Sequence, residues 1–425
     1  MKKFLNILFA CAALYIGIGS TGAFASETDA LLQKLVDKGV LTSAEAQQVR
    51  TEANEEAAKI NKQKEKDFKE LVKNSAPNIK LKGDLRTRYQ WEKRKGNANQ
   101  EERARLRLRV GADAKVNDKV NAHFQLATGS RNDLRSTNQT LGGNANEAFG
   151  HYDFWIDQMY VDYAPAPWLT LLGGKMPLKS VFWQTGDMLF DSDINPDGAS
   201  ATFNHPLNSQ IDLFANTGWW ILQDRALQSK VSMAYIQPGI KTKVLDNASL
   251  KLGAGYLFYN SLKGKDVDVV ISSKSSDTNT VTGNALTYDF DSFIFSSELG
   301  FDKPVSFLPY LSIFGDYVNN PDPPSANTGY LLGLKFGDKK IKDWGQWQTK
   351  YIYRHIGKDA VLDIFPDSDA LGGKTDIQSN EFIFEYGLGK HVTLGLDYYI
   401  SERLKAPANN YSREHLLQVD VVYKF

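Results

Sequence analysis

Residues Arg413 to Phe425 read Arg-Glu-His-Leu-Leu-Gln-Val-Asp-Val-Val-Tyr-Lys-Phe. Leu417, Val419, Val421, Tyr423 and Phe425 occupy every second position, so an extended chain places them on one face. Gln418, Asp420 and Lys424 share the other face, with Val422 its one apolar exception. An apolar face backed by a polar one, ending on an aromatic residue, predicts a strand with lipid on one side and water on the other, closing a transmembrane β-barrel. An edge strand of a soluble sandwich alternates in the same way, so the rest of the chain has to decide.

Alternation recurs upstream. Ile79, Leu81, Leu85, Tyr89 and Trp91 share one face, opposite Lys80, Lys82, Asp84, Arg86, Arg88 and Gln90. Ala104, Leu106, Leu108 and Val110 then alternate with Arg103, Arg105, Arg107 and Arg109, and further dyads run over 250–258, 293–301, 330–336, 382–388 and 392–400. Such runs amount to about sixteen strands of roughly ten residues, the length a tilted strand needs to cross the hydrocarbon layer. The connections alternate as well. Short links at Asn117-Asp118, Pro165-Ala166-Pro167, Pro206-Leu207-Asn208 and Gly389-Lys390 take turns with long polar ones at 129–152, 177–198, 260–288 and 357–378. That asymmetry of short periplasmic turns and long outer loops belongs to outer-membrane barrels. Trp91, Trp155, Trp168, Trp344, Trp347, Tyr398 and Tyr423 lie at expected strand ends, where interfacial girdles form.

The amino-terminal end has a different texture. Lys2 and Lys3, the apolar run 4–18 and Ala23-Phe24-Ala25 have the three parts of a secretory signal peptide, with cleavage expected after Ala25. The single cysteine, Cys11, lies inside that apolar run, and the run continues well past it, unlike a lipoprotein box. A mature chain without thiols excludes disulfides, Cys-ligated zinc and cysteine nucleophiles. Fifty acidic residues balance fifty basic ones, so neither nucleic acid nor an anionic surface is indicated as a partner. Residues 26–77 form a second region, helical and periplasmic. Leu31, Leu32, Leu35 and Val36 make a short amphipathic helix stopping at Gly39, and Thr42-Ser43-Ala44-Glu45 has capping-box spacing for a second helix. Its seam of Ala46, Val49, Ala53, Ile60 and Leu71 is thin, so this stalk either packs on the barrel, self-associates as a short coiled coil or is a solvated spacer. Residues 78–425 are the barrel.

On the barrel's polar faces Lys80, Lys82, Arg86, Arg88, Arg103, Arg105, Arg107 and Arg109 concentrate positive charge on two neighbouring strands. A cation facing lipid costs about 2–4 kcal/mol near the midplane, so this face must point inward, where it would attract anions or pair with acids. Glu298, Asp316, Glu381, Glu385, Asp397 and Asp420 are the acids expected on the opposing wall. Between strands five and six, Phe182-Trp183-Gln184-Thr185-Gly186-Asp187 leads into Asp191-Ser192-Asp193-Ile194-Asn195-Pro196-Asp197-Gly198. This loop is placed to fold inward and narrow the lumen, with Phe182 and Trp183 anchoring it and Asp187, Asp191, Asp193 and Asp197 facing the arginines. Its Asp spacing is that of a calcium loop, but Pro196 stands where an EF-hand needs Gly and Thr202 where it needs Glu, so no metal is assigned. The six histidines are scattered without catalytic or metal-binding spacing, and an enzyme is not expected.

Together the signal peptide, the 31–42 stalk, the Phe-Trp-x-Thr-Gly-Asp loop and the terminal Phe resemble the putative porin family of Gram-negative outer membranes. A weaker likeness to phosphate-selective porins rests on the stalk and the arginines. The resemblance implies passive diffusion of small hydrophilic solutes, frequent homotrimers, no cofactor, and lipid and lipopolysaccharide around the barrel. It also implies that the last strand, with Tyr423 and Phe425, is the signal read by the barrel-assembly machinery, and it leaves open a peptidoglycan contact through the stalk. A barrel sheathing a protein partner, as in porin–cytochrome conduits, is the competing reading, as is a cell-wall tether.

Overall fold

The computed structural model describes residues 34–75, 78–94, 100–130, 133–142, 149–224, 230–266, 278–405 and 413–425. The expected signal peptide, Cys11, and Leu31 and Leu32 lie outside them. The chain divides into two units, Met1–Ile79 and Lys80–Phe425.

In the first unit a helical turn at 34–37 ends where Gly39, with φ of 69°, lets the Gly39 and Val40 amides donate back to the Val36 and Leu35 carbonyls. Helix α1, Ser43–Ser75, opens on the expected capping box. The Thr42 amide donates to Glu45 Oε2 at 2.8 Å, and the Glu45 amide donates back to Thr42 Oγ1 at 3.3 Å. Val49 and Ile60, two members of the expected seam, stay exposed on its surface. Deleting residues 27–75 is therefore expected to leave the barrel able to fold, shown by unchanged heat-modifiable migration in detergent; a truncated chain that cannot refold would make this unit part of the barrel's core.

The second unit is a closed antiparallel barrel of sixteen strands. In chain order they are β1 Ile79–Arg94, β2 Glu101–Lys115, β3 Val120–Ala127, β4 Trp155–Ala166, β5 Leu169–Lys175, β6 Asp197–Pro206, β7 Ile211–Gln223 and β8 Val231–Leu245. Then follow β9 Ala248–Asn260, β10 Ser292–Val305, β11 Leu308–Asn319, β12 Thr328–Gly337, β13 Trp347–Ile356, β14 Ile377–Gly389, β15 Val392–Arg403 and β16 Arg413–Lys424. Neighbours in sequence pair with each other, and β16 pairs with β1 from Asp84↔Lys424 to Arg94↔Glu414. Phe425 finishes that seam, because its amide and carbonyl exchange hydrogen bonds with Gly83 at 3.0 and 2.9 Å. Position 83 admits no Cβ, which would run into the Arg109 carbonyl and the Phe425 ring.

Tyr89, Phe124, Met159, Trp219, Phe293 and Phe382 point outward along the strands and are exposed, Phe293 at 57% and Met159 at 55%. A continuous belt of this kind is the reverse of a water-facing surface and is what a lipid contact requires. No described helix is long and apolar enough to cross a membrane. One end of the barrel carries tight links, apart from a longer one at 338–346; the other carries the long loops, among them 128–154, 176–196, 261–291 and 357–376. These four are called L2, L3, L5 and L7.

Candidate functional site

The inner face is polar, and its chemistry is set by strand register. On β1 and β2 the cations alternate inward as expected, but they do not stand free. Asp84, on β1 itself, accepts from Arg107 Nε at 2.9 Å and from Arg109 Nε at 2.7 Å. Arg103 donates to Glu92 at 2.7 Å, and Arg94 ties the same Glu92 to Glu414. Arg88 holds Asp420 with two hydrogen bonds, at 2.7 and 2.8 Å, and Arg86 lies 3.6 Å from the same carboxylate. Lys82 pairs with Asp113 at 2.5 Å. Arg105 differs: it donates to the Gln90 amide oxygen at 3.1 Å and makes no ion pair among the described residues. Lys80 is exposed at the tight-link end.

The expectation of an opposed acidic wall is corrected by closure. Because β16 seals against β1, Asp420 is the direct partner of Arg88 rather than its counterpart across the lumen. Asp397, half-buried one strand further on β15, has a buried Oδ1 without a hydrogen bond. Of the other acids, Asp316 is spent on L3: it accepts from the Thr185 amide, the Thr185 hydroxyl at 2.8 Å and the Gly186 amide at 3.0 Å. Glu298 accepts from the Tyr310 hydroxyl at 3.2 Å. Glu385 lies on β14 in register with Gln348. The far wall is rich in lysine instead, with Lys241, Lys251, Lys335 and Lys350 on the inward positions of β8, β9, β12 and β13.

L3 folds into the barrel, and its aromatic pair packs on the inner wall. Phe182 lies edge-on to Phe190, Trp220 and Tyr235 at ring separations of 5.3–6.5 Å. Trp183 packs edge-on to Phe214, and its backbone amide and carbonyl both bond the Gln237 side chain, at 3.0 and 2.6 Å. Of the loop's four acids only Asp193 approaches the arginine ladder, 3.6 Å from Arg109. Asp197 pairs locally with Lys175 at 3.2 Å. Asp187 and Asp191 face L7. The Asp191 amide donates to the Phe365 carbonyl at 2.7 Å, its carboxylate takes the Ser368 amide at 3.0 Å, and the Asp367 amide donates to the Asp187 carbonyl at 3.0 Å. Burial and the nearby charges of Asp367 and Glu381 push the Asp187 carboxyl up to about 7, and burial with Asp193 and Asp367 raises Asp191 well above its ordinary range. The described residues contain no group of three side chains that could hold a metal.

Sequence reasoning missed L7. Read as a long polar link, it is buried from Asp359 to Pro366, with Leu362 and Ile364 packing into one apolar cluster with Phe190, Trp220 and Phe290. Its acids are all occupied: Asp363 accepts from the Thr278 and Asn279 amides of L5, Asp359 from Thr280, and Asp367 from Arg354 at 2.5 Å. Arg135 of L2 donates to the carbonyls of Asp363, Pro366 and Gly373. Arg354, fully buried on β13, also bonds Glu381 of β14 and so fastens L7 to the wall. The missed signal was the apolar group Val361, Leu362, Ile364 and Phe365, which a solvated link would not carry.

On the two sides of L3 lie separate cavities. One of about 680 Å³ opens among L2, L3 and the ends of β3, β4 and β7, lined by Thr128, Asp157, Asn195 and Trp220 among others. Another, of about 440 Å³, lies toward the tight-link end between L3 and β6 to β9.

The sequence matches the family model described as a putative porin over residues 92–291 and 294–425. The high-pH structure of Pseudomonas putida OprB is similar over 82% of this chain and 94% of that one, at a TM-score of 0.51 and 11% identity, a likeness of fold. OmpF of Salmonella typhi in complex with daunomycin covers 82% and 97% at a TM-score of 0.48 and 11% identity. The trimer form of OmpT, an outer membrane protein of Vibrio cholerae, covers 82% and 99% at 0.46 and 11%. No curated protein sequence matches the chain.

Proposed function

Because this chain belongs to the putative porin family, we propose that it is an outer-membrane diffusion channel whose lumen passes small hydrophilic solutes and ions past a constriction formed by L3. The observation that carries this reading is the combination of a polar inner face, an apolar outer belt and an inward loop fastened to the wall by Asp316, Gln237 and the Phe182–Trp183 pair. The family and the fold favour a channel over a catalyst. The same reading has residues 1–25 removed as a leader, residues 26–77 standing in the periplasm within reach of peptidoglycan, and lipid and lipopolysaccharide around the belt. Delivery by the barrel-assembly machinery through Tyr423 and Phe425, and assembly as a homotrimer, complete it.

A sheath for a protein partner needs an empty lumen, and L3 with L7 packed on it already lies within this one, which weighs against that alternative. Planar-bilayer recording of the refolded full chain is the test. Ohmic steps whose size rises with salt concentration are expected; a folded barrel that conducts nothing would favour the sheath or tether. A modest anion preference is the expected sign. Most of the arginine ladder is neutralised by Asp84, Glu92 and Asp420, so the net field has to come from cations without such partners.

A further inference from the structure

The cavity of about 440 Å³ on the tight-link side of L3 is lined by Lys179 of the short helix α2 (Leu178–Val181), Lys241 of β8 and Lys251 of β9. Asp212 is the one carboxylate in its lining, beside Asn204, His205 and Asn216. Among the described residues none of the three lysines makes an ion pair, although Asp212 is the strand partner of Lys241. Lys241 and Lys251 are themselves direct partners across β8 and β9, a like-charge juxtaposition flanked by Asp212 beside Lys241 and Glu298 beside Lys251, neither of which closes into an ion pair among the described residues.

The Lys251 ammonium is held in place. It sits 4.0 Å from the centre of the Trp183 ring and 4.7 Å from that of Phe214. The glycines beneath make this packing possible: a side chain at Gly253 would press on Trp183, and one at Gly239 would collide with Phe214. Lys179 reaches the same cavity from the loop, where partial burial and the nearby cations Arg109, Lys82 and Lys424 lower its ammonium below the ordinary lysine value, against a smaller opposite pull from Asp84. Three ammonium groups stand against Asp212 in the lining and Glu298 beside Lys251, with amide and imidazole groups around them, so the cavity keeps an excess of one positive charge.

Resting on the channel reading, we infer that this cavity is a binding station for small polar carboxylates, which Lys179, Lys241 and Lys251 hold immediately on the tight-link side of the constriction. The lysines supply charge-assisted hydrogen bonds to a carboxylate, and Asn204 and Asn216 suit hydroxyl groups on the same solute. Anions would pause at this site and slow chloride passing through it, while neutral solutes of equal size would not.

The test is block of chloride current by citrate and by gluconate, with sorbitol as the neutral control, in bilayers containing the refolded full chain. For the wild type, both anions are expected to reduce the current in a saturable way and sorbitol is not. Lys241→Gln with Lys251→Gln should raise the half-blocking citrate concentration by about tenfold or more, corresponding to loss of about 1.4 kcal/mol. Lys179→Glu should shift the reversal potential toward cations. Because Lys251 also packs on Trp183, the single variants Lys241→Gln and Lys179→Gln, which disturb no aromatic contact, serve as the second arm and should each weaken block. Conducting channels in which none of the variants alters citrate block would overturn the station. If the wild type does not conduct, the channel reading has failed, and citrate-dependent stabilisation against heat in detergent, lost in Lys241→Gln, decides the station by itself; its absence from the wild type would overturn it.

Discussion

The Arg354→Ala variant is expected to melt at a markedly lower temperature than the wild type in detergent and to give larger, noisier conductance steps. Arg354 is 1% exposed and bridges Asp367 of L7, at 2.5 Å, to Glu381 of β14, while the Tyr399 hydroxyl donates to the same Asp367 oxygen at 3.2 Å. Removing the guanidinium leaves two buried carboxylates without a counter-charge, a change that typically costs about 3–5 kcal/mol. The loss should propagate, since the Asp367 amide holds the Asp187 carbonyl and Ser368 holds the Asp191 carboxylate, so L3 loses its purchase on L7. Replacing the whole set, as Arg354→Met with Asp367→Asn and Glu381→Gln, should recover much of the melting temperature, because the penalty comes from stranded charge rather than from the pair itself.

Acid should soften the single variant's defect. Burial, Asp367 and Glu381 raise the Asp187 carboxyl above its ordinary value, while Arg354 lowers it. Removing Arg354 lets it rise further, so the variant loses more stability than the wild type as pH rises above the ordinary carboxylate range and regains it on acidification. The deficit of Arg354→Ala is thus expected to be smaller at pH 5 than at pH 8. An equal deficit at both, or wild-type melting with unchanged conductance noise, would show that L7 is held by its apolar cluster alone.

How far the sequence could be read depended on whether a feature had a period. The barrel was legible because every second residue repeats a face: Leu417 to Phe425 on the outside and Arg103 to Arg109 on the inside both follow from a period of two. The inward loop was legible from its place between the fifth and sixth strands, and its Phe182 and Trp183 pack as their size and chemistry suggest. L7 has no period. Its acids look solvated until Thr278, Asn279, Thr280 and Arg354 are seen to meet them from elsewhere in the chain. Asp420 was assigned to the wrong wall because strand order along the chain was treated as distance around the ring, although closure makes the last strand the neighbour of the first. The partner of each arginine depends on rotamers and register together, which alternation alone does not supply.

Asp84→Asn is expected to give the largest change in ion selectivity of any single substitution on the arginine ladder. One carboxylate there accepts from two guanidiniums, Arg107 and Arg109, while Arg109 has a more distant second acid in Asp193 at 3.6 Å. Neutralising Asp84 leaves a positive charge unmatched on the wall and should move the reversal potential toward anions, an effect that fades as salt screens it over about 8 Å at physiological strength. Arginine removals should differ among themselves in the opposite direction. Arg103→Ser removes one charge from the cluster of Glu92, Arg94 and Glu414, at the start of β2 and six residues from the Arg109 that meets L3, so its effect on an ion at the constriction should be small. Arg105→Ser deletes the member that bonds only the neutral Gln90, and it should shift selectivity toward cations more than the Arg103 change does. The comparison of Arg105→Ser with Arg103→Ser is therefore the sharper arm, since neither strands a carboxylate without a cation. If the two variants shift reversal potential equally, the pairing along β1 and β2 does not govern the field in the lumen. If Asp84→Asn folds, conducts and leaves selectivity unchanged, the ladder serves the barrel's shape and its charge does not reach the permeating ion.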